Sequence, residues 1–191
     1  MNKPEEYTLH SGGAVGSDHE WEVIGRKYGL INFNHYYYKD KTPYGNYPIT
    51  DDMYNEGVEH VHKANEFLNR KPWKYLNILS RNWFQVKNSD AVFAVAKLKS
   101  CEEVLGGTGW AVQMAIDNEK PVYVFDEGDT FRGLWCKYNY LSKRFIPLRF
   151  ESIPELTKDF AGIGTRDISD LGKRGIELLY KVTFRKDLIL R

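Results

Sequence analysis

Three stretches of this chain combine glycine with hydroxyl, carboxylate or guanidinium side chains. They are Ser11-Gly12-Gly13-Ala14-Val15-Gly16-Ser17-Asp18, Gly106-Gly107-Thr108-Gly109-Trp110 and Gly162-Ile163-Gly164-Thr165-Arg166. Each trails an apolar, strand-like run and opens an amphipathic, helix-like run. A glycine turn between strand and helix lets backbone N–H groups converge at a helix N-terminus, an economical way to hold an anion such as phosphate. One such turn also serves plain chain reversal. Three in 191 residues, all in the same context, point to a ligand.

The side chains around the glycines fit that chemistry. In the first turn Gly12, Gly13 and Gly16 permit close backbone approach beside Ala14, and Ser11 and Ser17 add hydroxyl donors. Asp18 stands where a helix N-cap or an acceptor for a ribose hydroxyl would stand, and the sequence leaves both roles open. In the second turn Gly106, Gly107, Thr108 and Gly109 again place N–H groups and a hydroxyl at a helix start, with Trp110 as wall or core. In the third, Gly162, Gly164 and Thr165 precede Arg166, which suits bidentate phosphate contact or an ion pair with Asp167 or Asp170. Arg81, Asn82 and Gln85 share a helical face by their spacing. Asp126 closes an apolar strand at the edge where open α/β sheets bind ligands.

Other chemistry is poorly supplied. His10, His19, His35, His60 and His62 lack ligand spacing, and Cys101 and Cys136 have no CxxC partner, so no metal site, cofactor or catalytic residue is assigned. The two cysteines read as reduced thiols in a cytoplasmic protein. A formal net charge of +1 disfavours nucleic acid as a bulk partner. The mean hydropathy of −0.55 and the lack of a long apolar run argue against a membrane partner. Thirteen tyrosines are unusual; His35 to Tyr38, Tyr44 and Tyr47 offer surfaces for a flat ligand, or else a half-buried strand.

Positioning these groups requires alternating strands and helices. Apolar patterning predicts strands at Tyr7–His10, Ile31–Tyr38, Ala91–Ala96, Pro121–Asp126 and one ending at Ile163. Helices are predicted at Asp18–Tyr28, Asp52–Arg70, Tyr75–Lys87, Trp110–Asn118 and Ser169–Phe184, with a short one near Pro154–Lys158. Residues 39–50 read as a loop and 130–150 as an irregular or hairpin segment. The whole, 1–191, is expected to form a single α/β domain with a doubly wound, mostly parallel sheet.

Together these residues resemble the SLOG superfamily of Rossmann-like proteins, which includes DprA, YpsA-like proteins and the cytokinin-activating LOG enzymes. The matching pieces are Ser11–Asp18, Arg81-Asn82 upstream of Ser89-Asp90-Ala91-Val92, and Gly106-Gly107-Thr108 with Ala115 and Lys120-Pro121-Val122. Gly162–Arg166 is similar to the family's glycine-serine-arginine turn. That turn comes first in most relatives and last here, so the chain reads as a circular permutant. Joining Arg191 to Met1 would restore the usual order, which predicts that the strand near Phe160–Ile163 lies beside the one near Tyr7–His10.

The resemblance implies a nucleotide-type ligand and a homo-oligomer, with Trp73 and Trp83 expected as exposed aromatics at its contact surface. The hydrolytic LOG enzymes carry a glutamate after their second glycine turn; Gln113 stands there in this chain. The expectation is therefore a binder that senses or sequesters a nucleotide signal, with phosphate on the glycine turns and the base on aromatics. A short stand-alone version would suit a phage or mobile-element product. N-glycosidic hydrolysis of a nucleoside monophosphate is the alternative, with Glu102, Glu103, Asp126 or Asp18 as the carboxylate. DprA-like single-stranded DNA binding is the third.

Overall fold

The computed structural model describes residues 2–39 and 42–185. Its strands are β1 (Thr8–Ser11), β2 (Asn32–Tyr37), β3 (Tyr47–Pro48), β4 (Ala91–Ala96), β5 (Val122–Asp126), β6 (Trp135–Asn139), β7 (Arg144–Pro147) and β8 (Asp159–Gly164). They form one sheet in the order β3-β2-β1-β8-β4-β5-β6-β7. The run from β3 to β5 is parallel, and β6 and β7 add an antiparallel hairpin at one edge. The helices are α1 (Ser17–Lys27), α2 (Asp51–Leu68), α3 (Leu76–Lys87), α4 (Thr108–Asp117) and α5 (Asp170–Phe184).

The central strand β4 is buried along its whole length, as an unbroken apolar run requires. Its residues alternate between two cores because side chains on a strand point to opposite faces. Ala91, Phe93 and Val95 join Trp21 and Ile24 of α1 and Ile176, Leu179 and Tyr180 of α5. Val92, Ala94 and Ala96 join Val61 of α2, Phe84 of α3 and Met114 of α4. Helices therefore cover both faces, an arrangement compatible with a Rossmann-like fold.

The predicted adjacency of the two terminal strands holds. Thr8, Leu9 and His10 of β1 pair in parallel with Asp159, Phe160 and Ala161 of β8. The described ends of the chain also meet: Asn2 donates from Nδ2 to the Thr183 carbonyl, and the Tyr7 and Phe184 rings lie edge to face at 4.9 Å. Met1 and Arg191 lie outside the described residues, as do positions 40 and 41 of the predicted 39–50 loop.

Several boundaries differ from the sequence reading. Residues 154–158 are irregular rather than helical, and a 3₁₀ turn falls earlier at Phe150–Ser152. Five residues are too few to repay helix nucleation, and the Leu156 N–H is taken by Thr183 Oγ1 of α5. Helix α2 stops at Leu68 because Asn69 adopts a left-handed cap (φ 48°), which frees Arg70 from the helix. Trp83, read as exposed, is buried where α3 packs on α2; its Nε1 donates to Glu56 and its ring stacks on His60. Cys101 and Cys136 are both free, and burial pushes the Cys136 thiol up to about 12. Among the described residues no helix is long and apolar enough to cross a membrane.

Candidate functional site

The three glycine turns leave the carboxyl ends of β1, β8 and β4, which are neighbours in the sheet. Beyond β1 the chain continues through α1 on one face, and beyond β4 through α4 on the other. That reversal opens a crevice at the strand ends, the place where open α/β sheets bind ligands. The crevice is a cavity of about 960 Å³. Residues of all three turns line it: Ala14, Val15 and Asp18 from the first, Gly106, Gly107 and Thr108 from the second, and Gly164, Thr165 and Arg166 from the third.

The first and third turns lock together directly. Ser17 donates from both its backbone N–H and its Oγ to the Thr165 carbonyl, each at 2.9 Å. A Cβ on Gly164 would stand 2.5 Å from Ser17, so only glycine permits the approach. Thr42 Oγ1 and Arg81 Nη1 donate to the Gly12 carbonyl at 3.0 and 2.6 Å, and the Tyr44 N–H donates to Gly13. The first turn is thus held from above by the 42–44 loop and from the side by α3.

Asp18 fills the concavity that the first turn makes. Burial pushes its carboxyl up to about 6, against the pull of Arg81 and of the backbone N–H groups of Ala14, Gly12 and Gly164. These amides therefore face a carboxylate supplied by the chain itself, and the first turn is not an open phosphate cradle. Arg81 is 4% exposed, and burial holds it below the ordinary arginine value, with Asp18 opposing. Its Nε is buried without a hydrogen-bond partner.

The second turn is open. Added Cβ atoms on Gly106 or Gly107 would meet nothing within 4 Å, and Gly106 takes the left-handed φ of +68° that reverses the chain. Helix α4 starts here with no side chain capping it, so its N-terminal dipole faces the cavity. Arg70 fixes this turn from the end of α2: Nη1 donates to the Gly106 carbonyl, and Nη2 to the Val104 carbonyl and Glu103, at 2.7–2.8 Å. Nothing local to Arg70 announced this, because its partners lie more than thirty residues away.

The cavity lining carries Arg70, Lys71, Arg81, Lys99 and Arg166 against Asp18 and Glu103, an excess of positive charge within a chain of nearly balanced charge. Burial would raise Glu103, but hydrogen bonds from Lys99 and Arg70 hold it low, so it stays ionised and bridges the two cations, leaving the trio with one net positive charge. Arg166 makes no ion pair with Asp167 or Asp170, and neither it nor Lys71 has an acidic partner among the described residues. Asn82 also lines the cavity, its Oδ1 accepting from Gln85 Nε2. The lining also presents exposed apolar side chains, Val15, Tyr75, Ile78 and Leu105.

Other expected residues take structural roles. Asp126 is fully buried outside the cavity lining. Its Oδ1 accepts from the N–H groups of Leu98 and Gly128, and its Oδ2 from Phe131, so it ties two loops together. A Cβ on Gly162 would strike Leu9 and Trp21, and one on Gly109 the Val104 carbonyl; both glycines serve packing. Ser11 is buried beneath the turn, and Ser17, Gly12, Gly13 and Gly16 shape it without lining the cavity. The tyrosine platform is also placed elsewhere: Tyr36 and Tyr38 are buried, and Tyr44 stacks on His19 at 3.8 Å. Tyr75 and Trp110 are the aromatics of the lining, the latter mostly in the core. Gln113 is buried and donates to Asp117 on its own helix, away from the lining. Glu102 is exposed and does not line the cavity.

No protein-family model matches this chain, and neither a search of curated proteins nor one of solved structures returns a match.

Proposed function

We propose that the protein binds a nucleotide-type small molecule in this cavity. The observation that carries the reading is the meeting of an open, glycine-built helix N-terminus with Arg81 and Arg166 in one cavity that also presents exposed apolar side chains. Phosphate is attracted to the α4 end and to the guanidinium groups. A base is accommodated against Tyr75 and its apolar neighbours. Asp18, an acceptor at the turn, suits a sugar hydroxyl better than a phosphate. The resemblance to the SLOG superfamily supports the same ligand class, and the adjacency of β1 and β8 supports reading the chain as its circular permutant. A sensing or sequestering role, as for a phage product, follows if the ligand is bound and not turned over.

The test is to denature freshly purified protein and identify released small molecules by mass spectrometry, alongside a nucleotide panel in thermal melts. A nucleotide in the extract, or a panel member that raises the melting temperature, is the expected result. An empty extract together with no shift from any nucleotide overturns the reading.

A hydrolase remains the second reading, because Asp18 and Glu103 both border the cavity and the first holds its proton up to about 6. Release of free base from a nucleoside monophosphate, abolished by Asp18→Asn or Glu103→Gln, would establish it.

A further inference from the structure

The cavity is large for a small-molecule site, and two of its cations, carried by different elements, have no acidic partner among the described residues. Its volume of about 960 Å³ lies near the top of the roughly 300–1,000 Å³ range of small-molecule sites. One is Arg166, on the turn after β8, beside the buried Arg81 whose charge its own repels. The other is Lys71, which follows the Arg70 that grips the Gly106 carbonyl and lines the same cavity as that turn. The carboxylates of the site leave both free. Asp18 is directed at Arg81 and the first-turn amides, and Glu103 is taken by Arg70 and Lys99. The apolar side chains Tyr75, Ile78 and Leu105 give the same cavity room for ring systems.

We propose that the ligand is a dinucleotide, an inference that rests on the nucleotide reading above. One phosphate meets Lys71 and the α4 N-terminus, a second anionic group meets Arg166 and Arg81, and the two nucleosides lie against the exposed apolar side chains. Two tethered contacts reinforce each other, since the second forms at the high effective concentration set by the first.

Calorimetric titration with matched probes tests this: AMP against 5′-phosphorylated diadenylate, and GMP against 5′-phosphorylated diguanylate. For at least one pair the dinucleotide should bind tenfold or more tightly than the mononucleotide. Lys71→Ala and Arg166→Ala, both at exposed positions, should each cut that preference to less than threefold while keeping the wild-type melting temperature. Equal affinities within both pairs, or a preference that survives both substitutions, would overturn the dinucleotide and leave the nucleotide reading standing. No binding of any of the four probes would also overturn the dinucleotide, and the nucleotide reading falls with it if the extract is empty and the full panel gives no shift.

Discussion

Gly16 and Arg166 touch through their backbones: a Cβ built on Gly16 would lie 2.1 Å from the Arg166 carbonyl oxygen, and Gly16 holds a φ of +91°. The contact joins the first residues after β1 to the first residues after β8. It exists because those strands, whose paired residues are 151 positions apart, are neighbours in the sheet. One side of the cavity is therefore a welded pair of turns, while the turn at Gly106-Gly107, held by Arg70, leaves open space above its glycines.

That contrast separates structural from functional glycines. Gly164→Ala puts a methyl group 2.5 Å from Ser17 and the Val95 carbonyl, and should cost roughly 2–4 kcal/mol of stability in chemical denaturation. Gly107→Ala, at an ordinary φ of −63° and facing open space, should stay within about 0.5 kcal/mol of wild type. It should nevertheless weaken anion binding at the α4 terminus. Equal stability losses for the two variants would refute the distinction.

Asp18 predicts a pH signature of stability. Its folded value of about 6 exceeds the ordinary 3.8, so between pH 4 and 6 the folded state holds more protons than the unfolded chain. This contribution is full below about pH 4 and is lost as pH rises towards 6.5. It amounts to roughly 3 kcal/mol, or about 6–12 °C in a chain of this size. The melting temperature of Asp18→Asn, measured relative to wild type at each pH, should therefore climb by several degrees from pH 4 to 7. A difference that is constant with pH would remove Asp18 from this role.

Ligand affinity should follow the same group. Protonating Asp18 removes a negative charge beside Arg81, so an anionic ligand should bind more tightly as pH falls through about 6. Titrations of the wild type at pH 5.5 and 7.5 should differ by severalfold, and those of Asp18→Asn should not.

Arg70→Ala should loosen the second turn. It removes three hydrogen bonds to Gly106, Val104 and Glu103 from a partly exposed side chain, a cost of about 1–2 kcal/mol. Hydrogen exchange should accelerate at Gly106–Gly109 well before it does in β4. Unchanged protection there would show that the turn holds itself.

Asp126→Ala removes the acceptor of the buried Leu98 N–H and of the half-buried Gly128 and Phe131 N–H groups, and should cost about 3 kcal/mol. Ligand affinity of the folded fraction should change little. A variant of wild-type stability with lost binding would return Asp126 to the site.

What the sequence determined by itself is local. Continuous apolar runs such as Ala91–Ala96 mark buried strands, 3.6-residue periodicity marks the helices, and glycine clusters mark where strand passes to helix, since neighbouring residues alone set these preferences. The relation of β1 to β8 was also legible, through the order of the motifs. Only the tertiary structure decided which turns are open. Asp18 folds back into the amides of its own turn, Arg70 reaches across from α2 to Gly106, Asp126 is spent on two loops, and Tyr36 and Tyr38 go to the core. Each outcome is a competition for the same hydrogen-bonding group or the same apolar volume between residues far apart in the chain. Sheet order settles such competitions by bringing the competitors together.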